Sequence, residues 1–500
     1  MQTQSNRVLL LYPPSKFQRH SNCPMGILML AAVLEKHGFD VHILDANASR
    51  NKLTQEQIIQ HVQEMKPAVI GMTLVTPLIR EAYRLAQALK KQGHILLAGG
   101  PHATLVPEEP LAHGFDAVVK GEGEPIIVDA VKALVGEIPK ENVIGWLYKD
   151  ADNQVKDTGA KVMVQNIDDL PYPARHLVKP ENYGPSSNPN LYGDLFSSRG
   201  CPARCAFCSG HLFGKNFRFR SAQSILDEIS YIRDKYKTTY FHFMDDAMSV
   251  DRVRIEEMCE GIIRNEMDIT WSMMTRVDKI DRKLLELAAR AGCVQIDYGI
   301  ESGHPETLKR IHKPHTVEMA KNAVIMTLEA GIKPYVFFIL GFPWEDVAAI
   351  KATYNLIVEL SPYVDNFHPA VASILVPFPG TEIYEKYKDE YGLENWWLSD
   401  KRNYDAPTNG THSYYQSKVF RLGAVLDADF FNYSDQIKEK IYEVFRFMFL
   451  HNLRRRHWAN RLFQRNLLLL SEKLHKFSPT LERTFFTPTK KVEALLKSLI

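Results

Sequence analysis

Ser198-Arg199-Gly200-Cys201-Pro202-Ala203-Arg204-Cys205-Ala206-Phe207-Cys208-Ser209-Gly210 puts three cysteines within eight positions, just after the strand-like run Tyr192–Ser197. They are half of the six cysteines in the chain. Paired cysteines spread through a short secreted chain would form a disulfide framework. Clustered thiols in a long chain point instead to metal, with thiolates kept free in a reducing cytoplasm. Three thiolates on one short loop can wrap a single cubane, whose irons favour cysteine ligands. A cubane has four irons, so one position stays open to an exchangeable partner, as in a catalytic zinc site. The alternative is a three-cysteine zinc site completed by His211, and the lack of a second C-x-x-C pair counts against it. Cys23, Cys259 and Cys293 have no partner spacing and read as buried structural thiols.

The cysteine loop opens an alternating series. Strands are expected at Tyr192–Ser197, Tyr240–Met244, Ile269–Met273, Val294–Tyr298, Pro334–Phe338 and Phe367–Ile374, with helical patterns such as Ala222–Tyr236, Arg252–Arg264 and Met319–Ala330 between them. Six βα units over 190–384 imply a partial (βα)6 barrel with its chemistry on the loops after the strands. Upstream, over 1–145, a second α/β series runs through Val8–Leu11, Val41–Leu44, Val69–Met72, Ile95–Ala98 and Ala117–Val119. Five such units fit a doubly wound, flavodoxin-like sheet with ligands beyond the carboxyl ends of its strands. Residues 146–189 are rich in Asp, Asn and Pro and read as a linker, and 385–500 as a mainly helical C-terminal region.

Bulk properties exclude several classes. A chain of 500 residues with 45% apolar and 24% charged residues is an ordinary globular composition. A net charge of +2 gives no nucleic-acid footprint. The polar start, Met1 to Arg7, leads us to expect no signal peptide, and no apolar run reaches the ~20 residues that span a bilayer.

The cysteine spacing, with Phe207 before the last cysteine, resembles the radical S-adenosylmethionine (SAM) superfamily over residues 190 to 380. The resemblance implies that Cys201, Cys205 and Cys208 hold a [4Fe-4S] cluster whose open iron is chelated by SAM, and that an electron releases a 5′-deoxyadenosyl radical. It also implies SAM contacts at strand ends. Glu301 and Ser302, in Tyr298-Gly-Ile-Glu-Ser-Gly303, would meet the polar groups of SAM, and Arg276 would pair with its carboxylate. Gly341, in Gly341-Phe-Pro343, would lie by the adenine, and Asp245, beside Asp246, is similarly placed.

A doubly wound domain ahead of such a barrel resembles the cobalamin-binding subclass. The matching stretches are Leu11-Tyr-Pro-Pro14, Pro24-Met-Gly26, Gly99-Gly-Pro-His102 and Lys120-Gly-Glu-Gly-Glu-Pro125. The resemblance places cobalamin by Pro14, Gly26, Thr73, Thr76, Gly99, Gly100, His102, Gly121 and Glu122. Glycine at strand ends lets backbone approach a flat macrocycle. The familiar Asp-x-His-x-x-Gly signature is absent. Asp40-Val-His42-Ile-Leu-Asp45 imitates it with Asp45 where Gly belongs, so His42 reads as structural and the lower axial position of cobalt is unassigned. Methylthiotransferases, a rival subclass, carry three further cysteines in this region, where this chain has only Cys23.

The resemblance implies a methyltransferase acting on an unactivated carbon or on phosphorus, with SAM as both radical source and methyl donor. The alternatives are a cobalamin-dependent cyclase without methyl transfer and a cobalamin-binding sensor with an inert barrel. The enzyme readings need an electron donor such as flavodoxin or ferredoxin. From Ser434 to Lys473, nine Lys or Arg face four Asp or Glu among bulky apolar residues. This pattern reads as a helical cap on the barrel that could also touch an anionic membrane surface and admit a lipid-like substrate. The location expected is cytoplasmic, with peripheral contact at the inner face of the membrane.

Overall fold

The computed structural model describes residues 6–15, 22–48, 50, 53–183, 189–210, 217–364, 372–399 and 429–456. The first sheet is built on β1 (Arg7–Tyr12), β2 (Asp40–Asp45), β3 (Val69–Thr73), β4 (Leu96–Gly99) and β5 (Ala117–Val119). These strands are parallel in the order β2-β1-β3-β4-β5. The inner strands β1, β3, β4 and β5 are largely apolar because both faces are covered, whereas the edge strand β2 carries Asp40, His42 and Asp45. Leu9, Leu11, Ile70, Met72 and Val118 pack on one side, and Val8, Leu10, Val69, Leu97 and Val119 on the other. The chain leaves β1 toward one edge and returns on the other side, so a crevice opens above the carboxyl ends of β1 and β3.

The sheet does not stop at residue 145. β6 (Trp146–Lys149) and β7 (Val155–Asp157) add two antiparallel strands within the stretch read from sequence as linker. Its polar composition belongs to the turn, where the Asp150 Oδ1 accepts from the backbone N–H of Asp152 and Gln154, and to β7, which is exposed along its length. The described remainder, to Tyr183, is mortar between the domains. Arg175, fully buried, donates to the Glu228 carboxylate at 2.7 Å and to the carbonyls of Tyr192 and Asp194. Tyr183 Oη donates to Asp45 at 2.8 Å.

The second sheet comprises β8 (Asp194–Leu195), β11 (Tyr240–Phe243), β12 (Thr270–Thr275), β13 (Cys293–Glu301), β14 (Lys333–Leu340) and β15 (Ala372–Ile374), all parallel in sequence order. The antiparallel pair β9 (Ser198–Arg199) and β10 (Arg218–Phe219) stands apart from it. This is the partial (βα)6 barrel expected. Five of its helices start on side-chain caps, with Ser221, Asp251, Asp281, Thr316 and Asp346 each accepting a backbone N–H of the first turn. Ile269, at the start of the third expected strand, precedes β12 instead, and Phe367 lies outside the described residues.

Of the C-terminal region, the helix Asp435–Arg456 packs on the helix Val347–Leu360 and buries Ile441, Val444, Phe445 and Met448. That is the cap reading for this part. The basic and apolar residues from 457 to 473 lie outside the described residues. No helix among the described residues is long and apolar enough to cross a membrane.

Candidate active site at the strand ends of two sheets

The cysteine loop leaves β9 at the carboxyl rim of the barrel and is pinned by backbone bonds. Ala206 N donates to Ile311 O at 3.2 Å, and Ile383 N donates to Ala206 O at 3.0 Å. Within the loop, Cys208 N donates to Cys205 O and Gly210 N to the Cys208 sulfur. Phe207 meets the edge of Phe342 at 6.3 Å. Cys205 feels the charges of Glu301, Lys313, Arg276 and Cys201, so the expected site residues share one neighbourhood. Among the described residues no three His, Cys, Asp or Glu converge on a single ion. A cubane asks for a wider donor set, since each thiolate binds its own iron, and three cysteines on one pinned loop fit it. His211, the fourth ligand of the zinc alternative, lies outside the described residues.

Around this loop the strand ends present charge. A β-bulge at the end of β13 and a left-handed backbone at Glu301 (φ 69°) turn its carboxylate inward. Glu301 Oε1 meets Lys313 Nζ at 2.9 Å. Lys313, which no spacing in the sequence singles out, also donates to Gly299 O at 3.1 Å and stands over Phe207 at 5.7 Å. Burial alone would lower its ammonium, but Glu301 and the cysteines outweigh that and hold it above the usual lysine range. A non-glycine residue in this conformation stores strain of the kind that clusters at working sites. Arg276 follows β12 onto the same rim, with its planar fork on Asp278 at 2.8 and 2.7 Å.

Two of the expected SAM contacts face elsewhere. Asp245 is buried and accepts from Ser197 N, Ser197 Oγ and Ser198 Oγ, so it shapes the root of the cysteine loop. Its neighbour Asp246 faces the open space instead. Ser302 is turned to Thr353 at 3.1 Å and to the backbone of His304. Gly341 (φ 81°) lies under Tyr433, whose hydroxyl donates to its carbonyl, and an added Cβ would stand 2.6 Å from that hydroxyl. Glu345 holds this turn by accepting from Gly341 N and Phe342 N.

Between the two sheets lies a cavity of about 330 Å³. Gly26, Thr73, Gly99, Gly100, Gly121 and Glu122 line it from the first sheet, as expected. From the barrel side come Phe196, the stretch Ser198–Gly200, Met244 and Asp246. A Cβ added at Gly26 or Gly99 would meet no atom within 4 Å, so both leave clear floor for a flat ligand over apolar walls such as Leu10, Ile27 and Met72. This fits cobalamin.

Pro14, Thr76 and His102, also expected here, do not line the cavity. His102 is fully buried, with Nδ1 against Thr76 Oγ1 and Nε2 against Glu109 Oε1, each at 3.0 Å, and its edge on Trp397. Both ring nitrogens are therefore spent behind the Gly99-Gly100 turn. His42 lies inside β2, bonded to Asp40 at 3.0 Å, and does not reach the cavity.

Two family descriptions match the chain: the B12 binding domain over residues 21–131 and the radical SAM superfamily over residues 195–357. An uncharacterized methyltransferase of Pyrococcus horikoshii is 30% identical over 390 residues, covering 76% of this chain and 82% of the relative. The anaerobic magnesium-protoporphyrin IX monomethyl ester cyclase of Rubrivivax gelatinosus is 26% identical over 77% of this chain and 69% of its own. The structure of the radical SAM methyltransferase TsrM from Kitasatospora setae, with cobalamin and a [4Fe-4S] cluster bound, superposes with a TM-score of 0.65 at 18% identity, covering 78% of each chain. The chain belongs to the radical SAM superfamily, in the subclass that carries a B12-binding domain ahead of its barrel.

Proposed function

We propose that this protein is a cobalamin-dependent radical SAM methyltransferase that methylates an unactivated carbon or a phosphorus centre of a small molecule. The observation that carries this reading is the shared wall. Gly200, next to Cys201, and Asp246, close to Cys208, line the same cavity as the glycine turns of the first sheet. A methyl donor in the cavity and a radical source on the loop would thus face one substrate space. When bound, the cluster and SAM supply the radical, and cobalamin supplies a transferable methyl group. In this reading Cys201, Cys205 and Cys208 ligate the cluster. Glu301, with Lys313 beside it, and Arg276 orient the amino and carboxylate ends of SAM once Asp278 yields the Arg276 fork. The apolar cavity walls keep bulk water from the reacting groups.

An electron donor of the flavodoxin or ferredoxin type would serve the loop, in a cytoplasmic enzyme. A lipid-like substrate reached along the C-terminal helix, with peripheral contact at the inner membrane face, remains the reading of the basic and apolar segment beyond residue 456. Flotation of the full chain with anionic vesicles, against a chain truncated after Asn432, tests that part.

The main test uses purified, reconstituted full-length protein with SAM and extracts of a deletion strain. Methyl transfer should yield both 5′-deoxyadenosine and S-adenosylhomocysteine, with one metabolite gaining the mass of a methylene group. A product formed without mass gain favours the cyclase reading. No SAM cleavage by cluster-loaded protein leaves only the sensor.

A further inference from the structure

A cluster of four charged side chains between the two domains sits where the cavity rim meets the neck of the cysteine loop. In β9 and β10, Arg199 pairs with Arg218 and Ser198 with Phe219, so the two strands form that neck. Each offers one arginine to the first domain. Arg199 donates from Nη2 to Glu124 Oε1 at 2.6 Å and reaches Glu122 Oε1 at 3.3 Å. Arg218 grips Glu122 with both arms, Nη1 on Oε2 and Nη2 on Oε1, each at 2.8 Å. The Glu122 side chain is 1% exposed and also accepts from Val164 N. Burial would push its carboxyl up, but the Arg218 hydrogen bonds and the Arg199 charge outweigh this and hold it below the usual carboxylate range.

Both carboxylates belong to the turn Gly121-Glu122-Gly123-Glu124, which lines the cavity, as do Ser198, Arg199 and Gly200. Whatever fills the cavity therefore presses on the turn that holds the neck. Forked contacts between guanidinium and carboxylate fix direction as well as distance. Buried in this way, they transmit a shift of the turn to the neck instead of losing it to solvent.

We propose that Glu122 and Glu124 are positioning residues: through Arg199 and Arg218 they set the neck of the cysteine loop against the cavity, so that cobalamin in the cavity and SAM at the loop favour each other's binding. This rests on the cobalamin and SAM reading above. Linkage requires the effect to be reciprocal. Cobalamin must raise SAM affinity by the same factor by which SAM raises cobalamin affinity.

The test uses full-length, cluster-loaded protein with hydroxocobalamin as the probe. Its Kd is measured by absorbance with and without saturating SAM, and the Kd of SAM with and without hydroxocobalamin. In the wild type we expect a ratio of about tenfold, equal in both directions, within the usual span of coupling. E124Q leaves the Arg218 grip on Glu122 intact and should bring both ratios below about threefold. R199K, which keeps the charge but loses the fork, should do the same and serves if E124Q does not fold. A merely structural role would lower the melting temperature or both affinities and leave the ratio unchanged, and that result overturns the proposal. So does a wild-type ratio of one. Failure of the wild type to bind hydroxocobalamin at all would instead remove the cavity reading on which the proposal stands.

Discussion

Gly99→Val separates the ligand role of the cavity from its part in the fold. Gly99 ends β4 on the cavity floor, and an added Cβ there meets no atom within 4 Å. Valine also suits a strand. The free protein should therefore keep its melting temperature to within about 2 °C, as expected when ΔΔG stays under roughly 0.5 kcal/mol. The bound state is different, because the new methyl groups occupy volume the ligand needs. Overpacking of that kind costs about 1–3 kcal/mol. At 1.4 kcal/mol per decade this is about 5- to 150-fold weaker binding. Its neighbour is the control. Gly100 has φ +94°, and a Cβ there would stand 2.7 Å from Thr73 Oγ1 and 3.0 Å from the backbone of Leu74, so Gly100→Val should lower the melting temperature itself. Equilibrium dialysis with hydroxocobalamin and thermal melts by circular dichroism read the two effects. Wild-type affinity in Gly99→Val would show that the ligand does not lie over the end of β4, and the cavity assignment would be abandoned.

Alanine at Cys201, Cys205 or Cys208 should abolish the brown chromophore and SAM cleavage, whereas alanine at buried Cys259 should leave both largely intact; iron content and 5′-deoxyadenosine yield decide it. Glu301→Gln and Arg276→Met should each weaken SAM binding roughly tenfold or more, with iron content unchanged, by isothermal titration; unchanged SAM affinity would remove the residue concerned from the site. Burial pushes the Glu345 carboxyl up from 4.5 to about 7. A carboxyl raised on folding contributes stability that is full below its unfolded value and lost as pH rises through the folded one. Between about pH 4.5 and 7 the wild type should therefore lose stability that Glu345→Gln retains, and equal pH slopes in denaturant melts would contradict the burial argument.

The periodic parts of the fold were legible from composition alone. Val8–Leu11 and Val69–Met72 are apolar on both faces because helices cover both, and the six barrel strands punctuate the chain with turn residues at their ends. The hairpin of β6 and β7 was not legible, since Val155–Asp157 exposes every side chain and leaves no alternation to read. At the site, sequence could place a residue at a strand end but not aim its side chain. Asp245 and Asp246 are adjacent, yet one buries itself on Ser197 and Ser198 while the other faces the cavity. His102 sits beside the right glycines with its ring turned to Thr76 and Glu109. Lys313 and Arg199 owe their importance to charges supplied from distant segments, Glu301 on the end of β13 and Glu124 in the other domain, and no local pattern announces such pairings.

The stretch that joins the two sheets has a consequence for how the holoprotein is made. A slack tether would let the halves swing apart to admit a bulky corrin. Here Arg175 is sunk into the barrel at Glu228 while Tyr183 is bonded back to Asp45 at the far end of the first sheet. The seam is therefore closed by the same chain that spans it, and opening it would expose a buried guanidinium and a buried carboxylate together. Entry of a large guest into finished protein should accordingly be slow, though it still reaches equilibrium. Supplying the corrin during synthesis should give a fuller complement than a brief soak of finished protein, and loosening the seam with Arg175→Met should narrow that gap.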